Sequence, residues 1–268
     1  VGILKERALP FIDANGVSLH YALAGAAGHS LVLLHELGGT LHSWDAVAPR
    51  VAERFRVLRY DQRGAGASEK VRQDFTNDTL VEDFAALAKS VGLGPPYHFV
   101  TVAAAATQAL RFLEQHPDQV GALVLCNPAP GVDPARAAVL DERAAFAMRE
   151  GMRASLPTTL ALSYPANLGE RAAYEAYLGR YLANDPVGFG LAFRCLARSN
   201  MLHMLPQIRC ATMVIAGRYD TVRPHAGTAE LAKKISGARF ELIEDAGHFM
   251  PTQAPQALAA LLEDFLPS

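Results

Sequence analysis

The stretch His98-Phe99-Val100-Thr101-Val102-Ala103-Ala104-Ala105-Ala106-Thr107-Gln108-Ala109-Leu110 constrains this chain more than any other. It reads as a short buried strand, an abrupt turn of small residues, then a helix. A strand can turn straight into a helix only where the side chains on either side of the bend are small, and Ala104 and Ala105 meet that demand.

The rest of the chain repeats the alternation. Residues 9–24 hold two apolar runs around Asn15-Gly16, a strong hairpin signal. Leu31 to Leu34 is continuously apolar, as expected of a strand covered on both faces. It ends in the loop His35-Glu36-Leu37-Gly38-Gly39-Thr40, and a helix is expected over 43–53. A strand over 55–60 stops at Asp61-Gln62-Arg63-Gly64-Ala65-Gly66-Ala67-Ser68, where polar residues follow instead of a helix, against a phosphate loop. Thr79-Leu80-Val81-Glu82 reads as a capping box opening a helix to about Val91. A helix over 104–115 and a strand over 122–126 follow the central turn. Strands over 212–216 and 239–243, and helices near 225–235 and 254–265, close the chain. Strands alternating with helices imply a mostly parallel, twisted sheet with helices on both faces.

Between these halves the rhythm changes. Residues 132–206 show helical periodicity without a strand, with Arg136, Arg143, Arg149 and Arg153 among the basic residues and Tyr164, Tyr174 and Tyr177 among the aromatics. The expected organisation is a core over 1–131 and 207–268 with a helical cap, or lid, over 132–206. No single lid arginine can be chosen as inward-facing from sequence.

At 268 residues with net charge −2, the chain can bury a large core and carries no global field to recruit nucleic acid or an anionic membrane. No apolar run approaches a membrane span, and Val1 to Phe11 lacks the apolar segment of a signal peptide. Cys126, Cys195 and Cys210 are widely spaced and odd in number, which suits reduced thiols. A cytoplasmic location, a small-molecule substrate, no cofactor and no metal are the expectations; oligomeric state is left open.

Together the loop 35–39, the segment Tyr60 to Ser68, Gly217-Arg218-Tyr219-Asp220 and Asp245-Ala246-Gly247-His248 resemble the α/β-hydrolase superfamily. The run Leu37-Gly38-Gly39-Thr40-Leu41-His42-Ser43-Trp44-Asp45 is most similar to the 3-oxoadipate enol-lactonase branch. The resemblance implies an α/β-hydrolase fold and a nucleophile–acid–histidine order, with Asp220 and His248 as acid and histidine. It also implies an oxyanion hole from the backbone N–H groups of Leu37 and Ala104.

The sequence departs from that pattern twice. The nucleophile turn is normally G-x-S-x-G; here it is Thr101-Val102-Ala103-Ala104-Ala105, and a methyl group cannot attack a carbonyl. Glu36 stands where relatives usually have glycine, next to the oxyanion loop; it either faces the pocket as an acid or base, or points to solvent or pairs with an arginine such as Arg63. A lone serine-to-alanine replacement accounts for Ala103 but not for Glu36 or the missing elbow glycines.

Three readings follow. One is a serine-free hydrolase of a small ester, lactone or amide, possibly bearing a carboxylate, in which His248 and Asp220 activate water and Glu36 positions water or substrate. Its variant is a His/Asp-dyad lyase, decarboxylase or cofactor-free dioxygenase. The others are a ligand-binding module without turnover and a hydrolase inactivated at position 103.

Overall fold

In the computed structural model, residues 10–25 and 28–267 are described. Leu9, the expected start of the hairpin, and most of the stretch read for a leader lie outside these residues. Asn15 and Gly16 both take positive φ (50° and 73°), which two-residue hairpin turns require, and they join β1 (Phe11–Ala14) to β2 (Val17–Ala24). Further strands are β3 (Ser30–Leu34), β4 (Arg56–Tyr60), β5 (Tyr97–Val102), β6 (Val120–Cys126), β7 (Ala211–Gly217) and β8 (Arg239–Ile243). They form one sheet in the order β1-β2-β4-β3-β5-β6-β7-β8. Pairing is antiparallel for β1–β2 and β2–β4 and parallel from β4 onward, which places β5 near the middle.

Alternation along the central strands sorts their side chains into two cores. Leu31, Leu33, Val100, Val102 and Val124 pack with Trp44, Phe55 and Leu258 on one face. Val32, Leu34, Phe99, Leu123 and Leu125 pack with Phe84, Leu110 and Phe112 on the other. Continuous apolar strands are therefore read by both layers, which is why they lack a polar alternate.

Two local expectations shift. The helix expected over 43–53 is a 3-10 turn (Leu41–Trp44) and a four-residue helix (Ala48–Val51). Pro49 has no N–H to donate and so is confined to a helix's first turn, which breaks the segment there. The helix expected to be capped by Thr79 is capped three residues earlier and spans Asn77–Ser90. Thr76 is its cap and accepts from the N–H of Thr79. Between β6 and β7 the chain is helical, over Pro134–Ser155, Leu160–Ser163, Arg171–Ala183 and Pro186–Ala197. Among the described residues no helix is long and apolar enough to cross a membrane.

Candidate active site

β5 ends at the turn that the sequence marked, and Ala103 sits there at φ 51°. A non-glycine residue in that left-handed region costs roughly 1–2 kcal/mol, so the surrounding contacts must hold it. They do: the Ala103 N–H donates to Cys126 C=O (2.9 Å), and its own C=O accepts from the N–H groups of Ala106 (3.2 Å) and Ala129 (3.0 Å). Thr101 and Thr107 are buried in packing: the Thr107 hydroxyl donates to Ala104 C=O at 2.8 Å. Cys126 is fully buried, and burial pushes its thiol far above the ordinary range. No nucleophile replaces the missing hydroxyl at the turn.

The N–H groups of Leu37 and Ala104 donate to no acceptor among the described residues, while both residues line one cavity with Ala103 and His248. The Leu37 loop is fixed from beneath. His35 donates from Nδ1 to Glu36 C=O (2.8 Å) and accepts at Nε2 from the Gln62 N–H (3.0 Å), a pair of bonds that sets its tautomer.

Opposite the turn, the loop after β7 carries Asp220 and the loop after β8 carries His248. His248 Nδ1 lies 2.6 Å from Asp220 Oδ2, and both residues are buried. Asp220 Oδ1 accepts from the N–H groups of Val222 and Arg223, each at 2.8 Å. With the carboxylate held on both oxygens, Nδ1 is the donor and Nε2 is left for the cavity. Ala103 and His248 line one cavity, and Asp220 bonds His248 from behind.

Two further residues hold this half, and sequence reading missed both. Asn127, fully buried at φ 43°, donates to the carbonyls of Gly247 (2.8 Å) and His248 (3.0 Å) and accepts from the Gly217 N–H (3.0 Å). Gln253 Oε1 accepts from the N–H groups of Gly247 and Phe249, both at 3.0 Å. Gly217 is where β7 meets the histidine loop closely; a Cβ there would strike the Gly247 carbonyl.

Glu36 is buried, and it neither faces solvent nor pairs with Arg63, whose partner is Asp83 at 2.5 Å. Its Oε1 accepts from Ser43 Oγ and Tyr177 Oη, each at 2.7 Å; Oε2 has no partner among the described residues. Burial, and then the Glu36 carboxylate, push the Tyr177 phenol well above its ordinary range, so it stays a donor. The side chain thus ties the loop that carries Leu37 to the helix Arg171–Ala183. Glu36 lines a small second cavity with Gln62, Gln108 and Asn184, while the His248 cavity is lined without it.

The His248 cavity has a volume of about 280 Å³ and is walled by Leu140, Phe189 and Phe193 from the inserted helices. Arg136, Arg143 and Arg223 also line it. Among the described residues no group of three or more His, Cys, Asp or Glu could hold a metal ion. A preorganised pair of free N–H groups facing an oriented imidazole can stabilise an oxyanion while the imidazole moves a proton.

Residues 29–255 match the family model described as alpha/beta hydrolase fold. The solved structure of a hydrolase from Pseudomonas aeruginosa is 32% identical, with a TM-score of 0.88, covering 97% of this chain and 98% of its own. The enol-lactonase from Burkholderia xenovorans is 27% identical, also at 0.88, covering 96% and 99%. An N-formylmaleamate deformylase from Pseudomonas putida is 27% identical over 95% of each chain.

Proposed function

From the premise that this chain belongs to the α/β-hydrolase fold family, we propose that it hydrolyses a small ester, lactone or amide without a serine nucleophile. The cap is residues 132–206. The observation that carries the reading is the dyad: His248 held by Asp220 at 2.6 Å, with a methyl group at Ala103 where a nucleophile would stand.

A water molecule between Nε2 and the substrate carbonyl is the nucleophile. His248 Nε2 takes its proton as the oxygen bonds to the carbonyl carbon, and Asp220 stabilises the imidazolium. The carbonyl oxygen becomes an oxyanion and accepts from the N–H groups of Leu37 and Ala104. Collapse breaks the bond to the alkoxide or amine, which leaves with the proton from Nε2. Glu36 acts through its bonds to Ser43 and Tyr177 as a positioning residue for the Leu37 loop. Lactones and esters suit the names of the enol-lactonase relative, and amides that of the deformylase.

Mass analysis of products made in ¹⁸O-water from a panel of lactones, esters and amides tests this. Expected is one solvent oxygen per product, with turnover reduced by roughly 10³ or more in His248→Ala and Asp220→Asn. Products lacking solvent oxygen would move the dyad to proton abstraction, as in a lyase or oxygenase. Turnover that survives His248→Ala would end the dyad mechanism.

A further inference from the structure

We infer that Arg136, Arg143 and Arg223 hold a carboxylate of the substrate in the cavity that His248 lines. The inference deepens the hydrolase reading and rests on it for the place of the reacting carbonyl.

Arg136 and Arg143 are seven residues apart on the helix Pro134–Ser155, two turns along one face. Arg223 comes from the other wall, three residues after Asp220. All three are half-buried and line the same cavity. Many arginines elsewhere find carboxylates, as Arg50 does at Glu263, Arg63 at Asp83 and Arg239 at Asp264, while Arg56 and Arg209 find backbone carbonyls instead. None of the three cavity arginines has an ion-pair partner among the described residues.

Their mutual presence is unfavourable. Burial and then Arg136 push Arg143 below its ordinary range. Burial and then Arg136 do the same to Arg223, with Asp220 opposing. Asp220, already bonded to His248, is the carboxylate that offsets part of this repulsion at Arg223; gathering the three charges at a half-dry surface is still costly, and an anion entering among them relieves that cost. A guanidinium presents parallel N–H donors that match a carboxylate's two oxygens. The remaining walls, Leu140, Phe189 and Phe193, suit a short apolar chain between that carboxylate and the carbonyl.

The experiment is calorimetric binding of levulinate and of 2,5-hexanedione, two ketones of matched shape that differ in one carboxylate and have no bond to hydrolyse. Levulinate is expected to bind the wild-type protein at least about tenfold tighter, as one charge-assisted pair would give. Arg136→Gln, Arg143→Gln and Arg223→Gln are each expected to shrink that preference, and Arg136→Lys to shrink it less than Arg136→Gln. Raising salt on the unaltered protein is expected to erode the same preference, which covers the case of a variant that does not fold. Equal binding of the two ketones, including no measurable binding of either, overturns the inference. So does a preference that all the variants and salt leave unchanged. Turnover plays no part in this readout, so it can fail while the ¹⁸O result stands, and the reverse.

Discussion

The two halves of the site have fared differently. The acid–histidine half is fully built, with Asp220 bonded on both oxygens, His248 aimed, and Asn127 and Gln253 clasping the loops behind them. The elbow half keeps its shape and has no reactive atom: Ala103 stands at φ 51° in a turn that elsewhere displays a hydroxyl. The contrast teaches that the turn has two separable uses. It can present a side chain, and it can aim the N–H of the following residue. With alanine at position 103 only the second is open, and it is the one that the proposed mechanism draws on.

Breaking the built half gives the largest effect on the fold. Asn127→Ala strands the buried Gly217 N–H and two carbonyls, and puts alanine at a left-handed φ. A loss of about 3 kcal/mol is expected from these terms together. Urea unfolding measures it, and turnover per folded molecule is expected to fall as well. A loss within error of zero would mean that the amide is not what joins the loops.

Glu36→Ala probes the tie between the Leu37 loop and the helix Arg171–Ala183. It leaves the hydroxyls of Ser43 and Tyr177 without their acceptor in a dry place. The expected loss is roughly 1–3 kcal/mol, with a decline in kcat larger than the change in KM if the Leu37 loop loosens. An unchanged kcat with lowered stability would make the bond purely a fastening for the cap.

Ala103→Gly gives the smallest change and sharpens the comparison most. Glycine relieves the positive φ but adds freedom to the unfolded chain, two effects of about 1 kcal/mol and opposite sign. Thermal unfolding is therefore expected to move by little. A marked fall in activity with stability unchanged would show that the strained turn sets the Ala104 N–H.

Much of this was legible in local pattern. The hairpin at Asn15-Gly16, the apolar runs of β3, β5, β6 and β7, and the Asp220 and His248 loops were readable because periodicity and turn chemistry are nearest-neighbour properties. Pro49 also stands in the sequence, and as a residue without an N–H it interrupts the helix expected over 43–53. What was hidden depends on distant partners. Glu36 finds Tyr177 across 141 positions, and Asn127 finds His248 across 121. The inward arginines were hidden because helical phase alone cannot say which flank of a lid helix meets the cavity. Asn127 did leave a faint signal: an asparagine immediately after a buried strand suits a left-handed turn.

Arg223 lends its backbone to the base and its side chain to the cavity, since its N–H supports Asp220 Oδ1 while its guanidinium lines the wall. Anything bound by that guanidinium acts on the same loop that steadies the imidazole. Binding and protonation are then linked functions: by whatever factor an occupied wall changes the proton affinity of His248, the proton changes the affinity of the wall by the same factor. If the proposed roles hold, a change at residue 223 reaches both recognition and base strength, because one residue belongs to both parts of the site.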